Sequence, residues 1–269
     1  MPCLYTTAQH CLQAADPDSK VALTHEAGKA YAAGTLKRSA SAPPPQPIGA
    51  PGRPDRPRLV EPRHLPQRSL GSREGRAAFI HAIAHIEFNA IDLAWDAVNR
   101  FRDMPEAYYA DWVGVAVDEA RHFRMLRSRL RDFGADYGDF DAHNGLWEMA
   151  EKTADDCLVR MALVPRVLEA RGLDVTPAMI RRLCDLGDTD TVGILETILA
   201  EEIAHVAAGT RWFEYCCRRR GLDPEATFEA LLGAATRGAL RGPYNREARI
   251  RAGFTPENMA AIERRAAEN

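Results

Sequence analysis

Two Glu-x-x-His motifs fall in expected long helices of the 269-residue chain, Glu119-Ala-Arg-His122 and Glu202-Ile-Ala-His205. Residues three apart share one face of a helix, so each motif can bring a carboxylate and an imidazole to one point. Each has a further glutamate upstream at nearly the same interval. Glu87 precedes Glu119 by 32 residues, and Glu169 precedes Glu202 by 33. A glutamate from each of two helices, plus Glu-x-x-His from each of two others, is the ligand set of dinuclear carboxylate centres in four-helix bundles. Carboxylates neutralise and bridge two cations, and imidazole is a borderline ligand suited to iron. The expected ligands are Glu87, Glu119, His122, Glu169, Glu202 and His205. The expected cofactor is two iron ions, and manganese shares the ligand set. Positions left open would serve water, dioxygen or substrate. The sequence names no catalytic residue beyond the metal centre.

The neighbours add to this pattern. An acid precedes each motif glutamate, Asp118 before Glu119 and Glu201 before Glu202. Metal-bound histidines usually donate their other ring N–H to a carboxylate, so Asp118 could serve His205 and Glu201 could serve His122. Glu87 lies in an apolar run, Ala-Ile-Ala-His-Ile-Glu-Phe-Asn-Ala-Ile, where an unmatched carboxylate is costly. Glu169 has the plainest alternative: it sits near an expected helix end and could be a surface residue, with Glu148, Glu151, Asp155 and Asp156 as substitutes. His81 and His85 lie one turn apart near Glu87 and read as core or supporting histidines, with His85 the candidate support for the ligands. Tyr109, Trp112, Trp212 and Tyr215 read as core. A third match, Glu61-Pro-Arg-His64, falls among prolines and is a chance hit of the kind short motifs produce.

These residues need long helices to hold them. Helical patterns run over about 72–101, 104–133, 145–171 and 189–220, with Gly172 and Gly221 as C-caps. The turn near 103–105 leaves Glu87 and Glu119 each about 16 residues from it, so they should meet at one height on antiparallel helices. A short helix is expected over 177–186, begun by Pro177. Two short helices fill 4–36, the second capped by Asp16-Pro17. Prolines crowd 39–68, which must run extended; Ile48, Leu59, Val60 and Leu65 favour an arm clamped to the bundle over a free linker. Helices are also expected over 224–234 and in the tail. The fold class is therefore all-α, a ferritin-like four-helix bundle at 71–222. Residues 1–70 form an N-terminal arm and 223–269 a helical extension.

Composition narrows the function classes. Net charge is -3 and pI about 6.3, so the chain as a whole is no nucleic-acid-binding polycation. The arginines of 53–76 and 237–251 read as solvated surface, with an anionic substrate or RNA as the alternative. The six cysteines include no C-x-x-C pair, which leaves zinc knuckles and thioredoxin motifs unsupported and fits a reducing compartment. With no signal-peptide pattern and no long apolar run, the expectation is a cytoplasmic protein without a membrane partner.

Asp118-Glu119-Ala120-Arg121-His122 resembles the D-E-x-R-H signature of di-iron oxygenases, ribonucleotide reductase small subunits and acyl desaturases, which implies an outer network of Asp118 and Arg121. The chain also resembles a ferritin-like family, the "domain of unknown function 455" proteins. The likeness is carried by His81-Ala-Ile-Ala-His85-Ile-Glu87, the Asp118–Phe123 segment, Tyr137-Gly-Asp-Phe-Asp-Ala-His143, Glu169-Ala-Arg-Gly-Leu-Asp174-Val and Glu202-Ile-Ala-His205-Val-Ala-Ala-Gly209, over roughly residues 5–255. It strengthens Glu169 as a ligand. The leading expectation is a dioxygen-dependent di-iron hydroxylase or oxidase acting on a small molecule, with an electron-donor protein as a further partner. The alternatives are a ferritin- or rubrerythrin-like iron-handling or peroxide-removing protein, a non-catalytic metal binder, and a tRNA-modifying hydroxylase by distant likeness.

Overall fold

The computed structural model describes residues 3–233 and 240–268. Those residues are all-helical, apart from two isolated bridges, Cys3 to Lys37 and Leu59 to Ala142. No helix among them is long and apolar enough to cross a membrane. The chain divides into two compact units, Met1–Glu151 and Lys152–Asn269.

The first unit is built around α3, Arg73–Arg100, which begins where Ser72 Oγ accepts the Gly75 N–H at 3.0 Å. It pairs with α4, Glu106–Asp132. Every residue from Glu87 to Asn99 is buried, so this stretch has no wet face. Its polar side chains must find partners inside, and the N-terminal helices α1, Leu4–Gln13, and α2, Pro17–Ala32, supply several. The fully buried Lys20 ammonium pairs with Asp92 and donates to the carbonyls of Cys11 and Leu12 at 3.1 and 3.0 Å. Trp95 donates to Thr24 Oγ1 at 2.9 Å, and Asn99 to Gln9 at 2.6 Å. Helix α2 starts as its sequence requires: Asp16 accepts the Ser19 N–H at 2.8 Å, and Pro17 occupies the first turn.

The proline-rich segment is an arm, as expected, with one short 3₁₀ turn at Pro62–His64. Its anchors differ from the expected ones. Leu59 is 37% exposed, and Ile48, Val60 and Leu65 are only half-buried. Polar clasps hold it instead. Val60 N–H reaches the Ala142 carbonyl at 2.8 Å, Gly52 N–H the Leu12 carbonyl at 2.9 Å, and Trp147 Nε1 the Gly49 carbonyl at 3.0 Å. In the first two clasps the arm donates its own N–H, and in the third its Gly49 carbonyl accepts. Trp147 belongs to α5, Gly145–Lys152.

The second unit departs from the expected third helix. After α5 the chain breaks at 153–156, where Asp156 accepts the Leu158 N–H at 2.8 Å and starts α6, Cys157–Leu163. A π-helical turn follows at Val164–Glu169, and α7 continues as Ala170–Asp185. Gly172 therefore ends nothing, and Pro177 lies inside a helix rather than opening one. Proline has no N–H for the carbonyl four residues back. That carbonyl, on Leu173, accepts from Asn245 Nδ2 at 3.2 Å. Buried Asp174 fixes the same junction, taking the Asn245 N–H at 3.0 Å and Arg249 at 2.9 and 2.7 Å. The π turn has a similar cause: Pro165 cannot donate, and the Ala170 N–H reaches back five residues to the Pro165 carbonyl.

Helix α8, Thr189–Arg220, packs on α6, the π turn and α7, and ends at Gly221 with φ 65°, the left-handed cap expected there. The chain continues through α9, Pro224–Leu232, α10, Arg246–Arg251, and α11, Pro256–Glu268. The expected end of α9 at residue 234 lies outside the described residues, as does Arg237 of the second basic stretch.

Gly209 of α8 faces the π turn directly. A Cβ there would fall 2.4 Å from both Cβ and Cγ of Pro165. Gly209→Ala should therefore lower unfolding stability by about 1–3 kcal/mol through overpacking. The midpoint of a urea titration checks this, and a midpoint equal to wild type would show the turn can retreat freely.

Candidate metal centre

Glu87 lies thirteen residues before the end of α3, and Glu119 thirteen residues after the start of α4. Equal arms from one turn bring them level, as the spacing predicts. His122 Nδ1 lies 3.0 Å from Glu87 Oε2 and 3.3 Å from Glu119 Oε2. One donor atom from each of the three lies within 4.8 Å of the others. Exposures are 6%, 2% and 0% for Glu87, Glu119 and His122. The next residues in each helix, Phe88 and Phe123, are buried and meet with ring centroids 5.1 Å apart.

The electrostatics are those of a cation site. Burial, then the negative charge of Glu119, push the Glu87 carboxyl well above its ordinary range. Burial opposes charge on His122, but hydrogen bonds to Glu119 and Glu87 outweigh it and push the imidazole up to about 11. With both carboxylates ionised the cluster would hold more negative charge than the ring offsets, which adds to burial in making Glu87 favour its protonated form. A divalent cation among these oxygen and nitrogen donors removes the imbalance without added protons, so the three side chains fit a metal.

The second motif lies on α8. His205 Nδ1 is 3.2 Å from Glu202 Oε2, and both side chains are largely buried. Glu169 closes the π turn and is half-buried in mid-helix, so the expectation that it sits near a helix end is corrected. Its substitutes are placed otherwise. Glu148, Glu151 and Asp155 are exposed, and Asp156 is held by Arg220 at 2.7 and 2.8 Å. π turns recur at functional sites, and no sequence signal beyond Pro165 announced this one.

Of the supporting residues, Asp118 pairs with Arg121 on its own helix at 2.9 Å, and both are partly exposed. Glu201 is half-buried beside Glu202. His85 accepts at Nδ1 from Tyr137 Oη at 2.8 Å and donates from Nε2 to the His143 carbonyl at 3.1 Å, which fixes its tautomer. Buried His81 accepts the Gly138 N–H at 2.9 Å and stacks on Tyr137. The two histidines thus pin the 137–143 segment, and Tyr137 packs on Phe88 and Phe123 at 5.1 and 5.0 Å. That role for Tyr137 was missed from sequence, although the one-turn spacing of the histidines marked a shared face. Tyr109 is fully buried, and Trp112 and Trp212 nearly so. In the first basic stretch, Arg53, Arg58, Arg68, Arg73 and Arg76 bind acceptors within their own unit. The six cysteines form no disulfide.

Residues 13–260 match the model of a family described as "Protein of unknown function (DUF455)". An uncharacterized protein of Haemophilus influenzae is 47% identical over 213 residues, covering 77% of this chain and 74% of its own. No solved structure matches.

Burial lowers the His81 pKa from 6.5 to about 4. The folded state therefore resists a proton that the unfolded chain takes up. This stability is complete above pH 6.5 and is lost as pH falls toward 4, by up to roughly 3 kcal/mol at 1.36 kcal/mol per unit. His81→Gln should flatten that part of the stability–pH curve, measured by denaturant titration from pH 7 to 4.

Proposed function

The chain belongs to the DUF455 family, and we propose that it is a dioxygen-dependent di-iron oxidoreductase, a hydroxylase or oxidase, built on a ferritin-like four-helix bundle. The carrying observation is the buried Glu87–Glu119–His122 cluster, three metal-ligand side chains whose donor atoms lie within 4.8 Å of one another. The reading is supported by the repeat of Glu-x-x-His on α8 with the same carboxylate-to-imidazole closeness, and by Glu169 at the π turn. Glu87, Glu119 and His122 would hold one side of the centre, and Glu169, Glu202 and His205 the other. Bound iron supplies dioxygen activation and one-electron steps.

The protein's own part follows from its residues. The carboxylates present fixed charge in a dry setting, so little reorganisation is needed when charge changes. Burial of Glu87, Glu119 and His122 keeps bulk water from the cluster. Asp118 and Arg121 neutralise each other beside Glu119, so the helix presents its ligands without a stray charge next to them. The Tyr137 ring braces both phenylalanines from the far side.

Metal analysis of protein purified under anaerobic iron loading should find two ions per chain in wild type. Glu119→Ala and His205→Ala should each lose metal and most of the thermal shift that ferrous iron gives. That shift corresponds to about 2.7 kcal/mol at a hundredfold excess over Kd. Wild type without metal, or variants with undiminished metal, would end the cage reading. A ferrous centre that consumes no dioxygen in stopped flow would end the oxidoreductase reading and leave the cage standing.

A further inference from the structure

Cys157 and Cys216 take no part in the metal reading, yet they meet inside the second unit. Their residues are 8% and 5% exposed. The Cys157 thiol hydrogen-bonds the Cys216 sulfur. One residue earlier on one element and one turn later on the other, Asp156 and Arg220 form a two-pronged ion pair at 2.7 and 2.8 Å. Two cross-ties at matching steps fix the start of α6 against the last turns of α8. A disulfide spans Cα atoms about 4.4–6.8 Å apart, so a thiol pair at hydrogen-bond range needs little more than side-chain rotation to close.

The pair is also chemically graded. The hydrogen bond from Cys157 holds the Cys216 thiol below its ordinary pKa against the opposing effect of burial, and Arg220 and Arg219 add to the lowering. The thiolate is the form that attacks an oxidant. Neighbouring Cys217 has the opposite setting: burial raises its pKa. Cys184 is exposed.

We propose that Cys157 and Cys216 form a peroxide-responsive dithiol that closes to an intramolecular disulfide. In the first step the Cys216 thiolate attacks hydrogen peroxide. The O–O bond breaks, Cys216 becomes a sulfenic acid, and hydroxide leaves and takes up a proton as water. In the second step the Cys157 sulfur attacks the sulfenic sulfur, the S–S bond forms, and a second water leaves. Two thiols are oxidised, one peroxide is reduced, and two waters result. The bond would brace the helices that carry Glu169 on one side and Glu202 and His205 on the other. It would do so from about 16 Å beyond His205 along α8. The chemistry requires no metal, so its outcome is separable from the fate of the di-iron reading.

The test treats the full-length, reduced, metal-free protein with hydrogen peroxide, alkylates it after denaturation, and maps non-reduced peptides by tandem mass spectrometry. The expected result is a Cys157–Cys216 cross-linked peptide with two hydrogens lost, which persists in Cys217→Ser and Cys184→Ser. In Cys157→Ser, Cys216 should instead be trapped by dimedone as a sulfenic acid. Six alkylatable thiols after peroxide treatment, a cross-link through Cys217 or Cys184, or oxidation of Cys216 to the sulfinic acid without any cross-link in wild type would each overturn the proposal. The wild-type map decides the matter even if a serine variant fails to fold.

Discussion

Two carboxylates, Glu87 and Glu119, are buried beside a single imidazole, and much of the first unit follows from that constraint. An ionised carboxylate out of water is costly, and a second one at hydrogen-bond range makes it costlier. A site of this kind survives only on elements too stiff to swing the charges apart. The helices α3 and α4 meet this requirement through a short turn with thirteen-residue arms on either side. Both carboxylates are nearly sealed from water, Glu87 being 6% and Glu119 2% exposed.

The same stiffness creates a second problem and its solution. A helix buried over 87–99 must place Asp92, Asp96 and Asn99 inside the protein. Each is matched by a specific partner: Lys20 for Asp92, Arg100 for Asp96, Gln9 for Asn99. Breaking such a buried pair leaves an uncompensated charge, so the N-terminal helices are tied to α3 by more than apolar contact. The arm is fastened in a related way. Its prolines free backbone carbonyls, and Arg100 and Arg102 collect several of them.

What could be read from the sequence divides along the range of the interactions involved. The extents of α3, α4 and α8 were legible, because their caps, Ser72, Pro105 and Gly221, act within a few residues. The level meeting of Glu87 and Glu119 was legible from spacing alone. The third helix was not. Gly172 and Pro177 carry local stop signals, and what overrides them, Asn245 on the Leu173 carbonyl, lies some seventy residues away. The arm was read correctly as clamped but for the wrong reason, because apolar residues are visible in a sequence and carbonyl clasps are not. The link from His85 to Tyr137 was hidden for the same reason: it joins residues 52 apart.

The two halves of the ligand pattern look alike in sequence and are built differently. In the first, both glutamates stand thirteen residues from their helix ends at the turn. In the second, Glu202 again stands thirteen residues into α8, but Glu169 stands sixteen residues before the end of α7. Three residues of helix amount to about 4.5 Å, nearly one turn. A straight antiparallel pair would leave those carboxylates at different heights. The second hairpin is also where the helix irregularities gather: a π turn closing on Glu169, Pro177 within α7, and a glycine at 209 that lets α8 approach the turn. A π turn admits an extra residue and resets which face the following side chains occupy. Glu169 sits at that reset. Near-equal spacings of 32 and 33 residues therefore conceal a real asymmetry: the first half is set by register alone, whereas the position of Glu169 depends on the local path of its helix.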